Sequence, residues 1–160
     1  MNERSNALAD RLEQGVRTLI TLASTLDDSD WRTPIPHDGR TVGVVVHHVG
    51  SMFPVEMELA MTVARGDAVV GLTWDTVHRM NAEHAGTNRG VTREEALDLL
   101  RRNSTEAAVA IRNLRDGDLD RANAVSMYSD AILTTQFLLE DHAVRHAFHH
   151  LAKIRGALHK

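Results

Sequence analysis

Ten histidines and no cysteine stand among the 160 residues of this chain. Metal binding and proton transfer near neutral pH therefore fall first to imidazole. Four of the ten, His142, His146, His149 and His150, share one nine-residue stretch, and His47 and His48 are adjacent. His146 and His150 are four apart, the spacing at which two side chains meet on one helix face and can ligate one ion. Buried imidazoles are costly unless their ring nitrogens are satisfied, and they repel one another once protonated. A divalent cation answers both problems, because it binds neutral imidazole and fixes the tautomer. Zinc takes three histidines and keeps a fourth position open; nickel or iron also suits imidazole. The plainer reading makes His48 a hydrogen-bonded core histidine and the pair a surface feature.

Whether these rings can meet depends on the elements that carry them. With His48 as origin and about 100° per residue, Val44, Val55 and Leu59 fall within about 40° of it. His48 therefore sits inside an apolar stripe, and His47 points about 100° away, towards Pro54 and Glu58. On the last helix the arc of Leu139, Ala143, Ala147, Leu151, Ile154 and Leu158 faces the core. His150 lies about 50° and His146 about 90° from its centre, whereas His142 and His149 lie about 130° and 150° off, towards solvent or a helix seam.

Apolar periodicity predicts a first helix from Ser5 to near Asp27 and a loop over 30–40 with Trp31 anchored in the core. Thr41 caps a second helix to about Arg65, and Thr73 caps a short helix over 75–84. Thr92 and Glu95 form a capping box for a helix running to Leu114. Residues 118–129 look irregular, and no strand is expected. The last helix starts between Asp130 and Thr135 and ends near Leu158. Four long helices with one apolar face each predict an all-α four-helix bundle, one domain over 1–160, with a short extra helix before the third long one.

Composition narrows the function further. Without cysteine there is no disulfide framework, iron–sulfur cluster, Cys-ligated zinc or cysteine nucleophile. A net charge of −4 argues against nucleic acid or an anionic membrane as partner. No apolar run is long enough for a spanning helix and the N-terminus begins no signal peptide, so a cytoplasmic protein is expected.

Two segments resemble the DinB-like superfamily of metal-dependent bundle proteins. Residues 41–49, from Thr41 and Val42 to His47, His48 and Val49, are similar to that family's second helix. The run from His146 through His150 and Leu151 to Ile154 and Arg155 is similar to its last helix. The resemblance covers nearly the whole chain. It implies a metal bound by His48, His146 and His150, the three rings that the helical wheels also turn inward. It implies an activity as well: transfer of a low-molecular-weight thiol such as mycothiol or bacillithiol to a small-molecule electrophile, or metal-dependent hydrolysis. A homodimer is a further implication. The substrate-binding set and the C-terminal extension of mycothiol-dependent maleylpyruvate isomerases are not recognised here, so that isomerase activity is not expected.

With no cysteine in the chain, any thiolate must arrive as a cosubstrate, and a His-bound metal would deprotonate it. Glu56, about 80° round from His48, is a candidate catalytic base or a partner orienting an imidazole; the plain alternative is an edge carboxylate. Pro54 predicts a kink near 50–54 that either widens a pocket above His48 or is merely tolerated. Trp31 and Trp74 either line that pocket or pack in the core, and the core is the expected place; His37, His78, His84 and His159 read as surface residues. A non-enzymatic bundle with a structural metal, or none, is the third reading.

Overall fold

The computed structural model describes residues 2–159. Four long helices carry the fold: α1 (Glu3–Thr25), α3 (Val42–Ala64), α5 (Arg93–Arg112) and a last helix over 135–158. Helix α5 packs on α1 and α3, and the last helix packs on the same two, which closes a four-helix bundle. Its interior is aliphatic: Leu12, Leu19, Val45, Val46, Leu100, Ile111 and Ile154 are all fully buried. Between α1 and α3 lies a short helix, α2 (Asp28–Arg32), and before α5 lies α4 (Trp74–Thr87).

The helix starts follow from their caps. The Thr41, Thr73 and Thr92 side chains each accept a bond from the backbone N–H three residues on, filling donors that a helix start leaves open. Glu95 returns the bond to the Thr92 N–H at 2.9 Å and completes the capping box. The expected loop over 30–40 is shorter than read, because Asp27 caps α2 through the Asp30 N–H at 2.8 Å. Trp31 is buried as expected, and its indole N–H donates to the Val91 carbonyl at 3.1 Å.

Two features correct the sequence reading. After α6 (Asp116–Asp120) the chain forms an antiparallel hairpin of β1 (Ala122–Val125) and β2 (Ala131–Thr134), registered Ala122↔Thr134 to Val125↔Ala131. Four residues per strand are too few for alternation to register as a pattern, and the loop after α3 helps hold the hairpin. The Val69 N–H donates to the Ala124 carbonyl and the Ser126 N–H to the Val69 carbonyl, at 2.9 and 3.0 Å. The second correction concerns the last helix, which is not α throughout. It opens as α7 (Thr135–Leu138), passes through a π-helical segment (Leu139–Val144) and continues as α8 (Arg145–Leu158).

Candidate metal centre

Helix α3 delivers His48 to the bundle interior, where only 3% of the residue is exposed. The fully buried Val42, Val45, Val46 and Val49 pack the turns around it. Pro54 sits inside this helix and cannot donate to the Gly50 carbonyl. That carbonyl instead accepts from the Asn103 side-chain amide at 2.9 Å, so α5 replaces the lost helix bond. The two helices are close there: a Cβ on Gly50 would lie 2.9 Å from the Leu100 backbone.

Helix α8 brings His146 and His150 to face His48. The His146 and His48 Nε2 atoms lie 3.2 Å apart. Ring centroids are 5.0 Å apart for His48 and His146, 5.3 Å for His48 and His150, and 4.8 Å for His146 and His150. One nitrogen from each ring falls within 4.8 Å of the others. Two nitrogens bound at 2.0–2.1 Å to one tetrahedral zinc stand about 3.3 Å apart, so the Nε2 pair already has a ligand spacing. Burial, reinforced by the neighbouring His146, pushes His48 down to about 2, and burial likewise drives His150 far below the usual imidazole range. Both rings are neutral, the form that offers a lone pair to a metal. The Nδ1 atoms of His48 and His150 are buried without a protein partner. Three imidazoles converging in the bundle, two of them neutral, fit a divalent ion.

Glu56 is no edge carboxylate. It is 5% exposed, one turn beyond Met52 on α3, and its Oε1 lies against His146 Nδ1, off the line of a hydrogen bond. A carboxylate on that side of the ring favours the tautomer with its proton at Nδ1, in which the Nε2 lone pair is free towards His48.

A cavity of about 280 Å³ opens beside the three rings. Met52, Val55, Leu59 and Val77 supply apolar wall, and Arg40, Arg145 and Lys153 supply cations. Arg40 is fixed by Asp38, with Nε donating at 2.6 Å and a second nitrogen at 2.8 Å. That fork holds the Asp38 carboxyl below its ordinary range.

Residues 12–128 match the model of the mycothiol maleylpyruvate isomerase N-terminal domain. The chain belongs to this family. The matched span takes in His48 and Glu56 but stops before His146 and His150. No curated protein matches the chain. Among solved structures it is similar to YfiT from Bacillus subtilis, described as a probable metal-dependent hydrolase with an unusual four-helix bundle topology. That likeness has a TM-score of 0.77 and 19% identity, over 99% of this chain and 88% of the other. It is also similar to a mycothiol-dependent maleylpyruvate isomerase, at TM-score 0.71 and 14% identity over 96% of this chain. The chain spans 60% of that isomerase's length. A candidate DinB-family protein from Exiguobacterium sibiricum gives TM-score 0.62 and 20% identity, over 99% of this chain and 92% of the other. The fold of this family member is thus the DinB-like bundle.

The remaining histidines divide differently from their sequence reading. His84 is not a surface residue: it is half-buried, its Nε2 is 2.8 Å from His47 Nδ1, and its ring stands edge-on to His48 at 5.5 Å. Burial, with His47 beside it, pushes His84 down to about 4. His142 faces neither solvent nor a seam but lines the cavity. A π segment has more residues per turn than an α-helix, so a wheel of constant step carries the wrong phase across it. Trp74, read as core, is 43% exposed and lines the same cavity. Pocket lining is the alternative sequence reading for Trp74; no residue type signals the placements of His84 and His142, which arise from contacts between separate segments.

Proposed function

We propose that His48, His146 and His150 hold one divalent metal ion, zinc before nickel or iron. We further propose that the chain is an enzyme transferring a low-molecular-weight thiol to a small electrophile. The observation that carries this reading is the convergence of three inward imidazoles beside a cavity, in a chain whose sulfur nucleophile must come from outside. Membership of a mycothiol-named family supports the thiol.

When bound, the ion supplies Lewis acidity that brings the proton of a thiol or a water within reach near neutral pH. The chain's own residues do the rest. Burial keeps His48 and His150 neutral, and Glu56 favours the His146 tautomer with its proton at Nδ1. The aliphatic wall excludes bulk water, which strengthens every electrostatic interaction inside. Arg40, Arg145 and Lys153 at the cavity favour a substrate or cosubstrate that carries negative charge. We place this activity in the cytoplasm, in a homodimer, with no nucleic acid as partner. No helix among the described residues is long and apolar enough to cross a membrane.

Hydrolysis is the second reading, favoured by the fold shared with YfiT, itself described as a probable metal-dependent hydrolase. Metal-loaded protein incubated with mycothiol or bacillithiol and chlorodinitrobenzene, and separately with p-nitrophenyl esters without thiol, tells the two apart. The thiol reading expects thiol consumption that disappears in His48→Ala. Ester turnover without thiol would transfer the assignment to hydrolysis. If neither occurs and His48→Ala changes nothing, the chain is a non-enzymatic bundle.

A further inference from the structure

Next to the three converging rings, Asp141 and His142 of the cavity wall meet Tyr128 in a polar group that the proposed metal does not use. Tyr128 closes the 3-10 turn Ser126–Tyr128 between the two hairpin strands, which carries it over to the last helix. Its hydroxyl donates to Asp141 Oδ2 at 2.8 Å and lies 3.0 Å from His142 Nε2. A phenol has one proton, and Asp141 takes it. The Tyr128 oxygen can then only accept from His142, so Nε2 carries the His142 proton. Nδ1 is left with a lone pair, and no hydrogen bond engages it among the described residues. Arg145 Nε stands 3.3 Å from the other Asp141 oxygen.

The arrangement is held from several sides. Trp74 and Phe137 meet the Tyr128 ring edge-on at 5.7 and 6.1 Å. Burial and the bond to Asp141 push the phenol above its ordinary range, so it stays a neutral hydroxyl. Asp141 and His142 both lie in the π segment, and breaks of this kind in helices are frequent at functional sites. His142 shares its cavity with His48, His146 and His150.

We propose that Asp141, Tyr128 and His142 form a relay in which His142 Nδ1 is the general base for the nucleophile entering this cavity. It rests on the reading of the cavity as an enzyme site. In the thiol reaction the S–H bond breaks, its electron pair stays on sulfur, and the proton forms the Nδ1–H bond of an imidazolium. The sulfur pair then forms the S–C bond, the leaving group departs with the C–X pair, and His142 returns its proton to the leaving group or to water. Asp141, through the Tyr128 hydroxyl, stabilises the imidazolium, in the role an orienting acid plays for a histidine base. Tyr128 and Asp141 are positioning residues; His142 is the catalytic one.

Two measurements on the zinc-loaded full chain test this. Long-range proton–nitrogen correlation spectra of protein labelled at histidine, with His142→Gln to assign the signal, read the tautomer directly. The relay requires a pyrrole-type Nε2 and a pyridine-type Nδ1 at His142, with a shift towards a tautomer mixture in Tyr128→Phe. With mycothiol or bacillithiol and chlorodinitrobenzene, His142→Ala loses about 10²–10⁴ in kcat, regains part of it with added imidazole, and keeps its metal. Tyr128→Phe lowers kcat several-fold and leaves KM within about twofold. An Nδ1–H tautomer in the wild type, or one unmoved by Tyr128→Phe, overturns the relay whatever the enzyme does. Wild-type kcat in His142→Ala overturns the base. If the wild type consumes no thiol but cleaves esters, the thiol reading falls and the same variants decide the base with water as nucleophile; with no turnover at all, the base falls with the enzyme reading.

Discussion

His48 and His150 are imidazoles in an apolar interior, and their neutrality has a consequence for stability. Both titrate below the ordinary 6.5 when folded, so below that pH the unfolded chain binds more protons than the folded one. Their contribution is therefore whole above pH 6.5 and declines below it, by up to about 1.4 kcal/mol per pH unit for each ring. Urea unfolding of chelator-treated protein between pH 7 and 5 checks this: the midpoint falls steeply in the wild type and less steeply in His150→Leu. An equal slope in both would contradict the burial account. Glu56 makes a second claim at this scale. Glu56→Gln keeps the shape and removes the charge facing His146 Nδ1, so metal affinity falls about 10–100-fold in competition with a chromogenic chelator. Unchanged affinity would return Glu56 to an uninvolved carboxylate.

At the scale of the element, helix α3 tolerates Pro54 because helix α5 answers it. The freed Gly50 carbonyl is satisfied by Asn103, and Asn103→Ala leaves it unpaired between two close helices. Such a loss costs about 1–3 kcal/mol, measured as a shift in denaturant midpoint without a change in slope. Asn103→Ala at wild-type stability would show that the bond is replaced by water. The break at Pro54 is legible in the sequence, since proline lacks an N–H wherever it stands. Its remedy is not, because it comes from a residue 53 positions away. The π segment Leu139–Val144 is invisible for a related reason: no residue in it is a helix breaker, and its phase shift appears only where the last helix meets its neighbours. The hairpin escapes because each of its strands is four residues long.

For the whole molecule, the bundle is legible because four amphipathic stripes must be buried against one another, and each stripe can be counted. His48 and His150 were readable in the same way: both lie on those stripes, so burying the stripe buries the ring. His142, His84 and Trp74 lie off the stripes, and their places depend on the hairpin, on α4 and on the π segment. The account also ties the fold to its proposed ligand. An ion that binds only the folded chain stabilises it by about 2.7 kcal/mol at a free concentration 100 times Kd. Zinc therefore raises the Tm of the wild type and leaves that of His48→Ala where it was; an equal rise in both would place the ion elsewhere. The central claim meets its most direct test in elemental analysis of protein purified without a histidine tag, wild type beside His146→Ala. One divalent ion per chain is expected in the wild type and a small fraction of that in the variant. Equal metal in the two would contradict it.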